Sequence, residues 1–594
     1  MTRVPLRPLA SILRARAEGA NPDIIERENI RLRHEEVRDR DRSRAEGRLL
    51  VLSVFFLVGF ALIGLRMGTL AGSEPNELRG SDSINSIIAA RADIVDRRGR
   101  ILATNLTTHS LYAQPPIMIE PERAARELAA IFPTLDEDKL ISQFTGSRKF
   151  LWIKRNISPE QKQAVHDIGD PGLLFGPREM RLYPNGKLAA HVLGGAGFGR
   201  EAVNSAEIVG RAGVEKRFDD YLRDPANDGA PLQLSIDLTI QDTVERVLHG
   251  GMNLMNAKGA TAVMMDIQTG ELVAMASLPD FDPNHRPRPL AEGDAADSPL
   301  FNRAVQGVYE LGSTFKVFTA AQALETGLVN PNTMLDTKGP LRWGKHRIRD
   351  FHYYGDEMSV TDIVVKSSNI GTARMAMAIG VDRHKEFLES LGFFAPTPVE
   401  LVEAPSGRPL LPPRWSEIST ITISYGHGLS ASPLHLATAY ASVLNGGTRI
   451  TPTLLRRDVA ETGQRIVSER TSTTVRQMMR EVVQRGTASF GEVPGYSVGA
   501  KTGTADKPRP RGGGYYDDKV IATFAGVFPT HAPEYVLVVT LDEPVETSGA
   551  EPRRTAGWTA VPIAAEIIRR TAPLLGVTPV IEPGLQAGVT LTSN

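Results

Sequence analysis

The 594-residue sequence contains no cysteine. That removes disulfide frameworks, thiol catalysis and metal sites built on Cys, and it fits an exported protein that avoids stray oxidation. An excess of charge of either sign is also missing. With 68 Lys and Arg against 69 Asp and Glu, the formal net charge is −1, without the basic surplus of a nucleic-acid binder. No internal repeat is present. The remaining composition, 41% hydrophobic and 23% charged, suits a globular chain with a sizeable core, and the length calls for two or three domains.

One long hydrophobic run stands out. Leu49–Leu65 reads LLVLSVFFLVGFALIGL, with no charge between Arg48 and Arg66. At about 1.5 Å per residue it spans roughly 25 Å, the short end of a membrane helix, and the flanking arginines can snorkel to lengthen it. A buried core helix would show an amphipathic face, and a cleaved signal peptide would not follow 48 residues of chain. The expectation is an uncleaved anchor over 49–70. Residues 1–48 hold twelve Arg and nine Asp or Glu, whereas the segment after the run is Arg-poor. The positive-inside rule therefore places the N-terminus in the cytoplasm and the rest outside. The Arg/Glu-rich stretch from Glu26 to Arg48 reads either as a helix continuous with the anchor or as a solvated tail.

Residues 71–230 form a mixed region of short segments. Ala92–Leu106 predicts two strands around a turn at Arg98–Gly99. Arg181–Gly194 has a turn at Pro184–Gly186 before an apolar stretch, and Gly210–Leu222 reads as helical after its glycines. Nothing here offers a nucleophile, so a rigid pedestal is expected. Residues 231–575 read as one large α/β domain. A helix begins near Thr239, and Thr261–Leu278 predicts a hairpin turning at Thr269–Gly270. Three further strands lie in YSVGAKTGTA, VIATFAGVFP and YVLVVTLDEP. A terminal helix spans Thr559–Leu575, Pro508–Gly514 is a Gly/Pro-rich loop, and 576–594 reads as a loose tail. Strands at both ends with helices between predict an antiparallel sheet that the chain leaves and rejoins.

Three segments carry chemistry. In Tyr309–Gly327, Ser313 and Lys316 are spaced to share one helical face, with Gly327 as the C-cap. A neutral lysine amine can take the proton that makes a serine hydroxyl nucleophilic, and a helix N-terminus offers N–H groups to an oxyanion. In Val364–Ala376, Ser367 and Asn369 flank Ser368, so that both can project the same way as a proton relay and a carboxamide clamp. In Val498–Pro508, Lys501 supplies a positive charge and Thr502 and Thr504 hydroxyls for a carboxylate. Gly503 leaves room for a substrate backbone on a strand edge. Alone, each reduces to a common feature: an N-cap with a surface lysine, a Ser/Asn cap, a Lys/Thr-rich strand.

Their order and spacing differ from chance. S-x-x-K, S-x-N 54 residues on, and K-T-G another 134 on resemble the signature of the penicillin-recognising enzymes. RADIVDRRGRILA, RLYPNGKLAAHVLGGAG and GRAGVEKRFD resemble the pedestal motifs of the class B penicillin-binding proteins, and SYGHGLSASPLHLATAYA resembles a stretch of their transpeptidase domain. Ala92 stands where that family often has Gly, and Leu311 replaces a usual Pro. No glycosyltransferase-type domain and no C-terminal repeat module is recognisable.

The resemblance implies a multidomain α/β fold. It has a single N-terminal transmembrane helix, an α+β pedestal of the dimerisation type, and a C-terminal penicillin-binding domain with an antiparallel sheet flanked by helices. The implied activity is peptidoglycan D,D-transpeptidation through a serine acyl-enzyme, most like the division-specific branch of the class. Ser313 would be the nucleophile, Lys316 the base, Ser367 a relay and Asn369 a positioner, with Ser313 and Thr504 N–H groups as oxyanion hole. Lys501, Thr502, Gly503 and Thr504 would bind substrate. No metal or organic cofactor is expected. Implied partners are peptidoglycan stem peptides derived from lipid II, β-lactam inhibitors, the membrane, a polytopic glycan polymerase and other divisome proteins. The implied location is the bacterial inner membrane with a periplasmic catalytic domain. An elongation-specific role, a β-lactamase or carboxypeptidase that deacylates to water, and a β-lactam sensor or divisome scaffold remain open at this point.

Overall fold

A computed structural model describes residues 7–72, 91–201, 206–457, 459, 463–509 and 513–580, which divide into two compact units at Ile88. The first unit holds helices α1 (Arg7–Ala17) and α2 (Pro22–Gly72). After Pro22 nothing in α2 removes a backbone donor, so the Arg/Glu-rich stretch and the anchor form one helix of 51 residues. Within it Gly47–Met67 has mean hydropathy 2.4 and is, among the described residues, the one candidate membrane span.

The second unit begins with the pedestal. Strands β1 (Ile94–Val95) and β2 (Ile101–Ala113) pair around the expected turn, where Asp96 Oδ1 accepts the N–H groups of Arg98 and Arg100. Helices α3 (Pro121–Ile131) and α4 (Glu137–Phe144), strand β3 (Leu151–Ile157), helix α5 (Pro159–Asp167) and strand β4 (Leu173–Leu182) follow. Both β3 and β4 pair antiparallel with β2, and Leu111, Leu128, Phe144 and Ile157 build a small core beneath the helices. Then come α6 (Ala190–Leu193), the hairpin β5 (Gly195–Glu201) and β6 (Ala206–Ala212), and α7 (Gly213–Arg217) and α8 (Asp219–Arg223).

The three pedestal motifs meet at one carboxylate. Glu215 is 0% exposed. Its Oε2 accepts from Arg91 at 2.8 and 2.6 Å, and its Oε1 accepts from Arg181 at 2.6 Å and from the Tyr183 hydroxyl at 3.2 Å. Burial, with the Glu215 charge beside it, pushes the Tyr183 phenol far up. Asp219 pairs with Arg91 as a second anion, so two guanidiniums face two carboxylates in a dry site, the condition under which buried charge is tolerated.

The chain passes to the large domain through β7 (Leu232–Gln233), which pairs parallel with β1. Helix α9 (Leu238–Leu254) is capped by Asp237, whose carboxylate also pairs with Arg98 and Arg100 of the pedestal. Strands β8 (Gly259–Asp266) and β9 (Leu272–Leu278) form the predicted hairpin. A middle section holds α10 (Lys316–Glu325), four short strands β10–β13 (Met334–Asp336, Leu341–Trp343, His346–Ile348, Glu357–Ser359), and helices α11 (Val360–Lys366), α12 (Asn369–Ile379), α13 (Val381–Ser390), α14 (Glu417–Ser424), α15 (Pro433–Leu444) and α16 (Glu469–Arg485). Strands β14 (Gly499–Pro508), β15 (Tyr515–Phe528) and β16 (Tyr535–Asp542) and helix α17 (Ala560–Thr571) complete it. The tip of the 508–514 loop and the tail beyond 580 lie outside the described residues.

The main sheet runs β14-β15-β16-β8-β9, antiparallel throughout. Alternate side chains serve different cores. Val263, Met265, Val536 and Val538 join α10 and α15, whereas Ala262, Met264, Leu537 and Val539 join α9 and α17. A sheet covered on both faces explains why its strands read as unbroken apolar runs. Strand β14 is an edge, and its residues Lys501–Thr504 face the segment that carries Ser313.

Candidate active site

Ser313 lies in one turn of 3-10 helix, Gly312–Phe315, that leads into α10. Close packing holds this turn. The Tyr440 hydroxyl donates to the Thr314 carbonyl at 2.8 Å, and Phe318 meets Phe315, Phe393 and Tyr440 edge to face below it. Glycines bring the neighbouring backbones in. A Cβ on Gly426 would lie 1.8 Å from the Gly312 carbonyl oxygen, and one on Gly503 would lie 2.2 Å from that of Leu311. Gly503 is thus required by the nucleophile segment itself, whose Leu311 carbonyl fills the place of a side chain there.

Lys316, the first residue of α10, is 1% exposed. Its Nζ lies 2.5 Å from the Ser367 carbonyl oxygen, 2.7 Å from Asn369 Oδ1 and 3.1 Å from Ser367 Oγ. Two of these partners only accept; the third, a hydroxyl, can also donate. A neutral amine satisfies all three contacts, giving two protons to the carbonyl groups and receiving one from Ser367. Burial, reinforced by the Lys501 charge, holds the Lys316 amine well below its ordinary value, against a smaller opposing pull from Asp350. Lys501, 0% exposed, donates to Ser367 Oγ at 2.9 Å and to the Thr502 carbonyl at 3.1 Å. Burial lowers it to about 7. Ser367 Oγ therefore bridges two lysines.

Ser367 can do this because it ends α11 in the left-handed region, at φ 63°. Ser368 turns the other way, caps α12 and donates to Asp350 at 2.7 Å. Asp350 also accepts the N–H groups of Asn369 at 2.5 Å and Ile370 at 3.0 Å, and Asn369 Nδ2 donates to the Arg349 carbonyl. This carboxylate fixes the whole S-x-N turn, and sequence reasoning missed it. It sits 17 residues upstream, beyond β12, with no local pattern to mark it. Thr487 was also missed; its hydroxyl lies 2.6 Å from that of Thr502, which is 7% exposed. Thr504 is half-buried, and its Oγ1 accepts from the Ala556 N–H at 3.0 Å, so its own proton remains available to an anion.

A buried lysine of depressed basicity, a bridging serine and a second lysine gathered beside a serine on a tight turn define a serine acyl-transferase centre. Residues 260–569 match the penicillin binding protein transpeptidase domain and residues 86–227 the penicillin-binding protein dimerisation domain, and the chain belongs to that transpeptidase family. It is 34% identical to the probable peptidoglycan D,D-transpeptidase FtsI of Caulobacter vibrioides, over 92% of both chains. It is 30% identical to the peptidoglycan D,D-transpeptidase FtsI of Escherichia coli, over 78% of this chain and 80% of that one. Among solved structures, penicillin binding protein 3 of Mycobacterium tuberculosis complexed with aztreonam aligns with a TM-score of 0.62 at 26% identity, covering 83% of this chain and 97% of that one.

Proposed function

We propose that this chain is a single-pass inner-membrane peptidoglycan D,D-transpeptidase that cross-links stem peptides during septal wall synthesis, with the N-terminus cytoplasmic and the pedestal (71–230) and catalytic domain (231–575) periplasmic. The observation that carries the chemistry is the Lys316 amine, stripped of water and held between Ser367 and Asn369 with Lys501 beyond. Neutral Lys316 takes the Ser313 proton as Oγ attacks the penultimate D-Ala carbonyl of a stem ending in D-Ala-D-Ala. Ser313 and Thr504 N–H groups face the developing oxyanion. The proton returns through Ser367 to the leaving D-Ala amine. Lys501 and Thr504 receive the terminal carboxylate, with Thr502 behind them. An amine of a neighbouring stem then attacks the acyl-enzyme. β-Lactams mimic the donor and leave Ser313 acylated. The septal assignment is supported by likeness to chains named FtsI, and the orientation by the arginines before the span. A polytopic glycan polymerase and other divisome proteins are the expected neighbours of anchor and pedestal.

The test is labelling of the full chain in detergent by a fluorescent penicillin, with the adduct mapped by mass spectrometry. The expected adduct is on Ser313, and Ser313→Ala carries none. Label retained by Ser313→Ala overturns the proposal.

A further inference from the structure

Beside Ser313 lies a second polar group that the acylation step does not use. The loop 425–431 runs along 309–312. Tyr309 and Ala431 exchange backbone hydrogen bonds, and Gly426 sits against the Gly312 carbonyl. His427 is therefore one residue from that contact on one strand, and Ser313 one residue from it on the other. The His427 Nδ1 lies 3.1 Å from Glu310 Oε2. The Glu310 carboxylate is nearly buried and also accepts from the Gly428 N–H at 2.8 Å and from the Tyr515 hydroxyl at 3.0 and 3.2 Å.

The Gly428 N–H donates to this carboxylate, and the Tyr515 hydroxyl lies within donating distance of both its oxygens. In the tautomer whose Nδ1–H donates to Glu310 Oε2, the lone pair of the neutral ring is on Nε2. No described residue hydrogen-bonds Nε2, and the His427 side chain is 34% exposed. The arrangement is an imidazole oriented by a carboxylate on the loop that runs along the nucleophile segment. Among the described residues, the charged and titratable groups around the ring are Glu310, Tyr425 and Tyr515, with Asp506 acting on Tyr515.

The second half of transpeptidation needs such a group. An acceptor amine arrives as an ammonium at neutral pH, and an ammonium has no lone pair with which to attack. The Lys316 amine is buried and already engaged by Ser367 and Asn369, placed to serve a proton released during the attack rather than one shed beforehand.

We propose that His427, oriented by Glu310, is the base that deprotonates the incoming acceptor ammonium; this rests on the transpeptidase reading above. Nε2 takes one proton from R–NH3+, leaving R–NH2 and an imidazolium paired with Glu310. The amine lone pair forms the C–N bond to the acyl carbon. The second nitrogen proton passes to neutral Lys316 and on to Ser313 Oγ as the C–Oγ bond breaks. The imidazolium releases its proton to solvent, which closes the balance.

The test uses the full chain in detergent, acylated by an N-acyl-D-alanyl thioester, with decay of the acyl-enzyme followed for two acceptors. One is a lysine-type amine, protonated at neutral pH. The other is hydroxylamine, already unprotonated there. In His427→Gln, aminolysis by the lysine-type amine falls by about 10- to 100-fold, while aminolysis by hydroxylamine changes by less than about threefold. In Glu310→Gln the ring loses the carboxylate that orients it, and aminolysis by the lysine-type amine falls while aminolysis by hydroxylamine is again spared. Equal loss with both acceptors, or none with either, overturns the role of His427. Failure of the transpeptidase reading shows differently, as absence of a penicillin adduct on Ser313 in the unsubstituted chain.

Discussion

The Lys316 amine is asked to be a base at a position where lysine is ordinarily an acid. Two effects make it one, and they are separable. Burial comes first, and the Lys501 charge second. A base works only when unprotonated, so acylation rises with pH through the Lys316 value. Removing the second cation lets that value climb. In Lys501→Met, the rising limb of the acylation rate at saturating penicillin moves to higher pH, and the rate at pH 7 drops about tenfold or more. Stopped-flow acylation across a pH series checks the direction; a limb that stays in place shows that Lys501 does not tune Lys316.

Between elements, the site depends on how closely three backbones approach. Gly426 has φ 95°, in the region that L side chains avoid, and it also has no room for a Cβ. Gly426→Ala forces the 425–431 loop off the nucleophile turn. It lowers Tm by at least about 4 °C and slows Ser313 acylation, although no reacting group is altered; thermal melts and penicillin labelling read the two effects. This constraint was invisible in the sequence, because a glycine in YGHG does not say which backbone it meets. The strands were legible for the opposite reason: runs such as YVLVVTLDEP carry their burial on both faces in their own composition. Ser313, Lys316, Ser367, Asn369 and Lys501 were legible as spaced motifs. Asp350, Thr487 and Glu310 were not, since each acts only through a residue distant in the chain.

Across the whole molecule, the pedestal is fastened by Glu215. Arg91 follows the anchor unit, Arg181 ends β4, and Glu215 lies in α7, so one side chain gathers segments more than 120 residues apart. Its removal leaves two buried guanidiniums without their shared partner. Glu215→Ala costs about 3–5 kcal/mol, visible as an earlier, pedestal-specific phase in calorimetric unfolding and faster proteolysis near Arg91. A single unshifted transition contradicts the assignment. The resemblance of RADIVDRRGRILA, RLYPNGKLAAHVLGGAG and GRAGVEKRFD to pedestal motifs becomes a physical statement here, since Arg91 of the first, Arg181 and Tyr183 of the second and Glu215 and Asp219 of the third meet in one cluster.

Helix α2 is 51 residues long, about 76 Å at 1.5 Å per residue, and the span of Gly47–Met67 uses less than half of it. An unbroken α-helix resists twisting about its axis far better than a chain with a hinge, because every turn is tied to the next. The described helix therefore has no hinge where the candidate span begins, and the charged stretch before Gly47 and the span turn together as one rod.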